Sequence, residues 1–293
     1  MSRSYIFDRG VVWNTVLISA RFFVPLWFIA LAFVLPCALL YDAALWSAGG
    51  FEAVADRTVA DIITLRAPLG VYLVLLTKAV LWISTYFASF VIVGEVSDIC
   101  LGGTASFSKA MYKTSIRGVG RLLGTDILYL FVLLLAFTPA ILLSHFVIEP
   151  LVGTNSVVDV ASVVALIVLS WSLPCWLFLF TAQVVAIERR YWFSALTRSV
   201  SLVWRSKKRS LAMFALFACT VVFWQLGGFL LLYLGGRTNV SFEVVNVIGS
   251  VVLWAPYVPI PNILLTLAYY NLRRTQGELS AELLADIKAY EMS

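Results

Sequence analysis

Residues 71–93 read VYLVLLTKAVLWISTYFASFVIV, a run broken by a single charge, Lys78. A helix of about 20 apolar residues crosses a hydrocarbon core. The run is too long and too continuous for a barrel strand, which would alternate over short segments. Working outward, five more stretches of the same kind appear: Phe22–Leu40, Leu123–Val147, Val160–Ile187, Leu211–Leu234 and Val244–Leu272. The expected fold is all-α, a polytopic six-span transmembrane helical bundle that fills residues 1–293 as one integral membrane domain. The composition agrees. The chain is 61% hydrophobic and 13% charged, against about 45–50% and about 25% for soluble domains.

Lys and Arg set the orientation, because positive charge is retained on the cytoplasmic side. Lys109, Lys113, Arg117 and Arg121 lie between spans two and three, against Glu95 and Asp98. Arg189, Arg190, Arg198, Arg205, Lys207, Lys208 and Arg209 lie between spans four and five, against Glu188. The intervening loops are acidic or nearly uncharged. The loop holding Glu149 and Asp159 has no Lys or Arg. Arg3, Arg9 and Arg21 at one end and Arg273 and Arg274 at the other complete the pattern. Both termini are expected in the cytoplasm, and the host membrane is expected to be the inner membrane.

The long cytoplasmic segments have a helical period. Between Glu188 and Arg209, Trp192, Leu196, Ser199 and Val203 share one face, and Arg190, Ser194, Thr197, Ser201 and Arg205 share another. Such a helix lies in the interface with its basic face toward anionic headgroups. Gly103–Arg121 repeats the design, with Phe107, Ala110, Met111 and Thr114 opposing Lys109, Lys113 and Arg117. A third version precedes span one, around Val11, Val12 and Val16. In outline the first two match: an acid (Glu95 or Glu188), a spacer, a Phe-Ser-containing motif, then a basic helix. Duplication and convergent surface chemistry both explain that likeness. After Gly277, a short cytoplasmic amphipathic helix is expected over 278–290, with Leu279, Leu283, Ile287 and Tyr290 as its stripe. It either packs back on the cytoplasmic face or docks a partner.

Ala195-Leu196-Thr197-Arg198-Ser199 resembles the elbow motif of the membrane domain found beside some glycerophosphoryl diester phosphodiesterases, and of stand-alone inner-membrane proteins like it. Tyr269-Tyr270-Asn271-Leu272-Arg273-Arg274 resembles the exit of that domain's last span, with Asn271 where the family carries an acid. Phe7-Asp8-Arg9-Gly10 and Arg21-Phe22-Phe23 resemble its beginning. The resemblance implies a six-span bundle with interfacial elbows. It does not imply phosphodiester hydrolysis, which belongs to a separate soluble domain.

Charges inside spans are costly, so each is a candidate site. Lys78 either snorkels to the outer surface or faces the bundle. Asp126, just inside span three, is expected to pair with a cytoplasmic Arg or Lys. Pro256, Pro259 and Pro261, followed by Asn262, interrupt span six, as a packing kink or as a broken helix lining a transport site. Gln183 and Gln225 are expected to join helices. Cys37, Cys100, Cys175 and Cys219 read as small buried hydrophobes, and His145 is the sole histidine. No Gly-x-Ser-x-Gly, His-Glu-x-x-His or Walker loop occurs. No cleavable leader, cofactor, metal or nucleic-acid partner is expected.

The expected function is therefore non-enzymatic: scaffolding, lipid organisation or service as an accessory subunit to another membrane protein. Arg198, Arg205, Lys207, Lys208 and Arg209, with Lys109, Lys113 and Arg117, would contact anionic headgroups. The alternatives are a transporter or permease subunit built on Lys78 and the interrupted span six, and an intramembrane lipid enzyme using Asp126.

Overall fold

A computed structural model describes residues 10–49, 54, 67–100, 116–143, 170, 172–237, 249 and 257–278. Lys109, Lys113, His145, Pro256 and the segment 279–290 lie outside the described residues, as does the side chain of Arg117. All regular structure among the described residues is helical. Helix α1 spans Val11–Ser47, α2 Leu69–Cys100 and α3 Ile116–Leu143. Helix α4 is the apolar segment Ser172–Glu188. It is followed by α5 (Phe193–Arg205), α6 (Lys207–Arg237) and α7 (Pro259–Thr275).

Three of these are long and apolar enough to cross a membrane: α1, α2 and the Lys207–Gly228 part of α6. Their large apolar side chains point outward. Phe28, Trp46, Leu76 and Phe223 are all exposed, an arrangement that water would penalise and lipid does not. The molecule is a helical membrane protein.

Val11 and Val16 lie on a helical segment that a kink at Phe22 (φ −112°, ψ 17°) sets apart from the rest of α1, at the residue where span one was expected to begin. Pro25 supplies the cause, because it lacks an N–H and its ring crowds the preceding turn. Helix α2 overruns its expected end at Val93 and continues to Cys100, so Glu95 is buried in mid-helix. Glu188, the acid compared with it, instead closes a helix. The two proposed repeats therefore differ at the residue that suggested them.

Helices α1 and α2 pack along their length, and α7 lies against both. Small residues, among them Ala30, Ala38, Ala88 and Ala268, are almost fully buried and let the helices approach. That is the usual device where lipid removes the hydrophobic drive for helix association. Two short polar bonds lock the contacts. Ser84 donates to the Phe33 carbonyl at 2.5 Å, and the Ser97 and Tyr270 hydroxyls bond at 2.5 Å. The main core joins Leu26 and Ile29 of α1, Ile92 and Val96 of α2, Phe180 of α4, Leu202 of α5 and Ile263 of α7. A separate, smaller cluster of Tyr41, Leu45 and Val74 holds the far end of the α1–α2 pair. There Gly70 is obligatory, since a Cβ would stand 2.9 Å from Ala48 Cα.

Pro259 and Pro261 fall in the first turn of α7. The N–H groups of a first turn have no intrahelical acceptor, and proline's fixed φ suits that position. Val258 before them already has helical backbone (φ −55°, ψ −43°), and residues 250–256 lie outside the described residues. Asn262 donates back to the Val258 carbonyl at 2.7 Å.

Candidate functional site: a cationic cleft above a buried ion-pair cluster

The site is built by the chain between α4 and α6, closed by the end of α7. The last turn of α4, Val184–Glu188, widens into π-helical geometry, a local defect often found at functional sites. Arg189 (φ 53°) and Trp192 (φ 58°) then take left-handed backbone, and the chain turns into α5. Two contacts hold this corner. The Trp192 N–H donates to Thr125 Oγ1 of α3 at 2.8 Å. The Trp192 ring lies over Gly124, where a Cβ would come within 2.6 Å of it.

Helix α5 is the amphipathic helix read from the sequence. Leu196, Ser199 and Val203 are buried as expected, joined by Ala195 and Leu202. Trp192 is the exception, exposed and parked on α3. Ser199 is structural: it donates to the Leu177 carbonyl at 3.1 Å and accepts from the Phe180 N–H at 3.2 Å. It thereby bonds backbone groups beside residues 178–180, where α4 loosens into a turn.

Helix α7 ends in a Schellman turn. Gly277 (φ 75°) donates to the Arg274 carbonyl and Glu278 to the Arg273 carbonyl, each at 3.1 Å. Only a residue tolerant of positive φ closes this motif cheaply. The reversal aims the Glu278 carboxylate at α5. Gln276 adds a bridge, donating to the Leu202 carbonyl at 3.2 Å and Ser206 Oγ at 3.1 Å.

Two carboxylates and several guanidiniums meet here. Arg198 Nε donates to both oxygens of Glu188, at 3.0 and 3.1 Å. Its terminal nitrogens donate to both oxygens of Glu278, Nη1 at 3.2 Å and Nη2 more closely. Tyr269 donates to Glu188 Oε1 at 2.6 Å, and Arg273 Nη1 donates to the Tyr269 oxygen at 3.4 Å. Arg190 reaches Glu188 at 3.1 Å and Arg205 reaches Glu278 at 3.2 Å. The Glu188 and Arg198 side chains are only 9% and 14% exposed. Charges so far from water persist only when paired and hydrogen-bonded. The Arg198 hydrogen bond holds the Glu278 carboxyl below its ordinary range, and Glu278, then Glu188, raise the Arg198 guanidinium further.

Arg198 therefore does not stand on the surface as a headgroup contact, which corrects its expected role. It is the centre pin of the cluster. The other four cations are exposed. Arg205, Lys207, Lys208 and Arg209 line one open cleft of about 440 Å³, with Trp204 at its lip and Thr275 of α7 across from them. Lys207 Nζ sits 3.8 Å from the Trp204 ring centroid, a favourable cation–π contact.

The intramembrane candidates do not converge with this site. Lys78 is exposed, its ammonium 4.7 Å from the Tyr41 ring centroid on α1. Asp126 lies near Tyr86 and Tyr129, and its Oδ2 has no hydrogen-bond partner among the described residues. The expected pairing with a basic residue is not among the described contacts. Gln183 is fully buried, yet neither its Oε1 nor its Nε2 has a partner among the described residues. No group of three or more His, Cys, Asp or Glu suited to a metal occurs among the described residues.

Sequence reasoning missed Tyr269, Arg273 and Glu278 as parts of one cluster with Arg198. The glycine before an acid at 277–278 was the available signal. Segments 195–199 and 269–274 meet across Glu188, through Arg198 and Tyr269. Comparison of the chain with protein-family profiles, characterised proteins and solved structures finds no match.

Proposed function

We propose that this protein is a non-enzymatic, six-span protein of the inner membrane that engages anionic lipid headgroups at its cytoplasmic face, as a lipid-organising scaffold or accessory subunit. The observation that supports this reading is the exposed basic cluster: Arg205, Lys207, Lys208 and Arg209 stand together around one shallow opening where α5 meets α6. In this reading α5 is an interfacial elbow, both termini are cytoplasmic, and the chain is kin to the phosphodiesterase-associated membrane domain it resembles. The rigid ion-pair cluster beneath serves to hold the elbow at a fixed angle to α7.

Native mass spectrometry of the purified chain, titrated with phosphatidylglycerol and phosphatidylcholine, tests this. Preferential retention of the anionic lipid, lost on neutralising Arg205, Lys207, Lys208 and Arg209 together, is the expected result. Equal retention of both lipids by the unaltered chain would sink it. The topology is tested by cysteine accessibility: Lys208→Cys, in a chain otherwise free of cysteine, should react with an impermeant reagent only in inverted vesicles.

A further inference from the structure

We infer that the cleft takes a membrane lipid whose headgroup carries two phosphates. This rests on the reading of the cleft as a headgroup site and narrows it by charge, size and lining.

Charge comes first. In the cluster beneath the cleft, three guanidiniums (Arg190, Arg198 and Arg205) share two carboxylates, Glu188 and Glu278. Among the described residues, positive charge is already in excess there. Lys207, Lys208 and Arg209 then add three cations that pair with no carboxylate among the described residues. These three occupy the first turn of the 31-residue α6, which contains no acidic residue. The helix macrodipole is positive at that end, so cations there repel it as well as one another. A single phosphodiester leaves most of this excess uncompensated, whereas two phosphates offset roughly twice as much.

Size and lining agree. The opening, about 440 Å³, is shallow and open to solvent, and wide enough to admit more than one phosphate. Ser206 Oγ accepts from Gln276, which leaves its hydroxyl proton for a phosphate oxygen. Trp204 forms the lip, where an indole is at home between headgroups and acyl chains. That feature favours a lipid over a soluble diphosphate.

The test is competition on the purified full chain in non-ionic detergent. A fluorescent diphosphatidylglycerol is bound and then displaced by unlabelled diphosphatidylglycerol, phosphatidylglycerol, phosphatidylcholine or inorganic pyrophosphate. The two-phosphate lipid should displace the probe at about tenfold lower concentration than phosphatidylglycerol, counted per phosphate. Lys207→Gln/Lys208→Gln/Arg209→Gln should abolish that preference. The charge-keeping Lys207→Arg/Lys208→Arg should preserve it, which separates lost contacts from lost folding. Equal displacement by the two anionic lipids, both above phosphatidylcholine, overturns this inference and leaves the headgroup reading standing. No advantage of either over phosphatidylcholine overturns both. Pyrophosphate matching the lipid overturns the lipid source, and a preference surviving in the triple Gln variant overturns the location.

Discussion

Glu278 closes on Arg198 from 80 residues further along the chain, engaging both terminal nitrogens of its guanidinium. A turn at the end of one helix thus supplies the counter-charge for the middle of another. The pair is partly shielded, so its loss should be felt. Glu278→Gln should lower stability by about 1–3 kcal/mol, below the roughly 3–5 kcal/mol of a fully buried pair. Thermal unfolding in detergent measures it.

The same pair has a pH signature. Arg198 holds the folded-state carboxyl of Glu278 below its unfolded value. Its contribution is complete above the unfolded value, about 4.3, and is lost as pH falls through the lower folded value. The melting-temperature gap between the unaltered chain and Glu278→Gln should be constant from pH 8 to about 6 and shrink below about 4.3. A gap that widened on acidification would contradict this.

Glu188→Gln should be worse than Glu278→Gln. Glu188 is the more buried acid and serves Arg190, Arg198 and Tyr269 at once. Its removal leaves shielded cations short of a partner, at a cost of about 3–5 kcal/mol. A milder effect than that of Glu278→Gln would show that the cluster is organised from its C-terminal side.

Gly124→Ala places a methyl group against the Trp192 ring. Overpacking of this kind costs about 1–3 kcal/mol. The far end of an indole can move, but the Trp192 backbone is pinned to Thr125. Trp192→Ala should therefore absorb most of the penalty, so that the double variant is less destabilised than the sum of the single ones.

Arg189 sits exposed in left-handed backbone after the π-turn. That conformation costs a non-glycine residue roughly 1–2 kcal/mol. Arg189→Gly should raise the melting temperature. In the core, Gln183→Leu should also stabilise, because a buried amide without partners carries a desolvation penalty of about 1–3 kcal/mol.

Helicity and membrane residence were legible from periodless apolar runs such as 71–93, because length and hydropathy suffice for both. The buried face of α5 was legible for the same reason: Leu196, Ser199 and Val203 recur at helical spacing. Arg198 was misread because it was counted with the basic residues by charge, and charge says nothing of what covers a side chain. The cover, Glu278, lay beyond the last span and was assigned to a different helix. The exposure of Arg205, Lys207, Lys208 and Arg209 was legible because four positive side chains within five residues have few places to go but outward.

The closing of α7 onto α5 also has a temporal side. When the ribosome has made Arg198, its second carboxylate partner is still 80 residues from being synthesised. Until Glu278 emerges, the guanidinium is half neutralised in a groove that α7 does not yet cover. A truncated product lacking that residue keeps the two bonds from Arg198 to Glu188 and forfeits both bonds from its terminal nitrogens, so shortening the chain by its last few residues loosens a joint made far upstream.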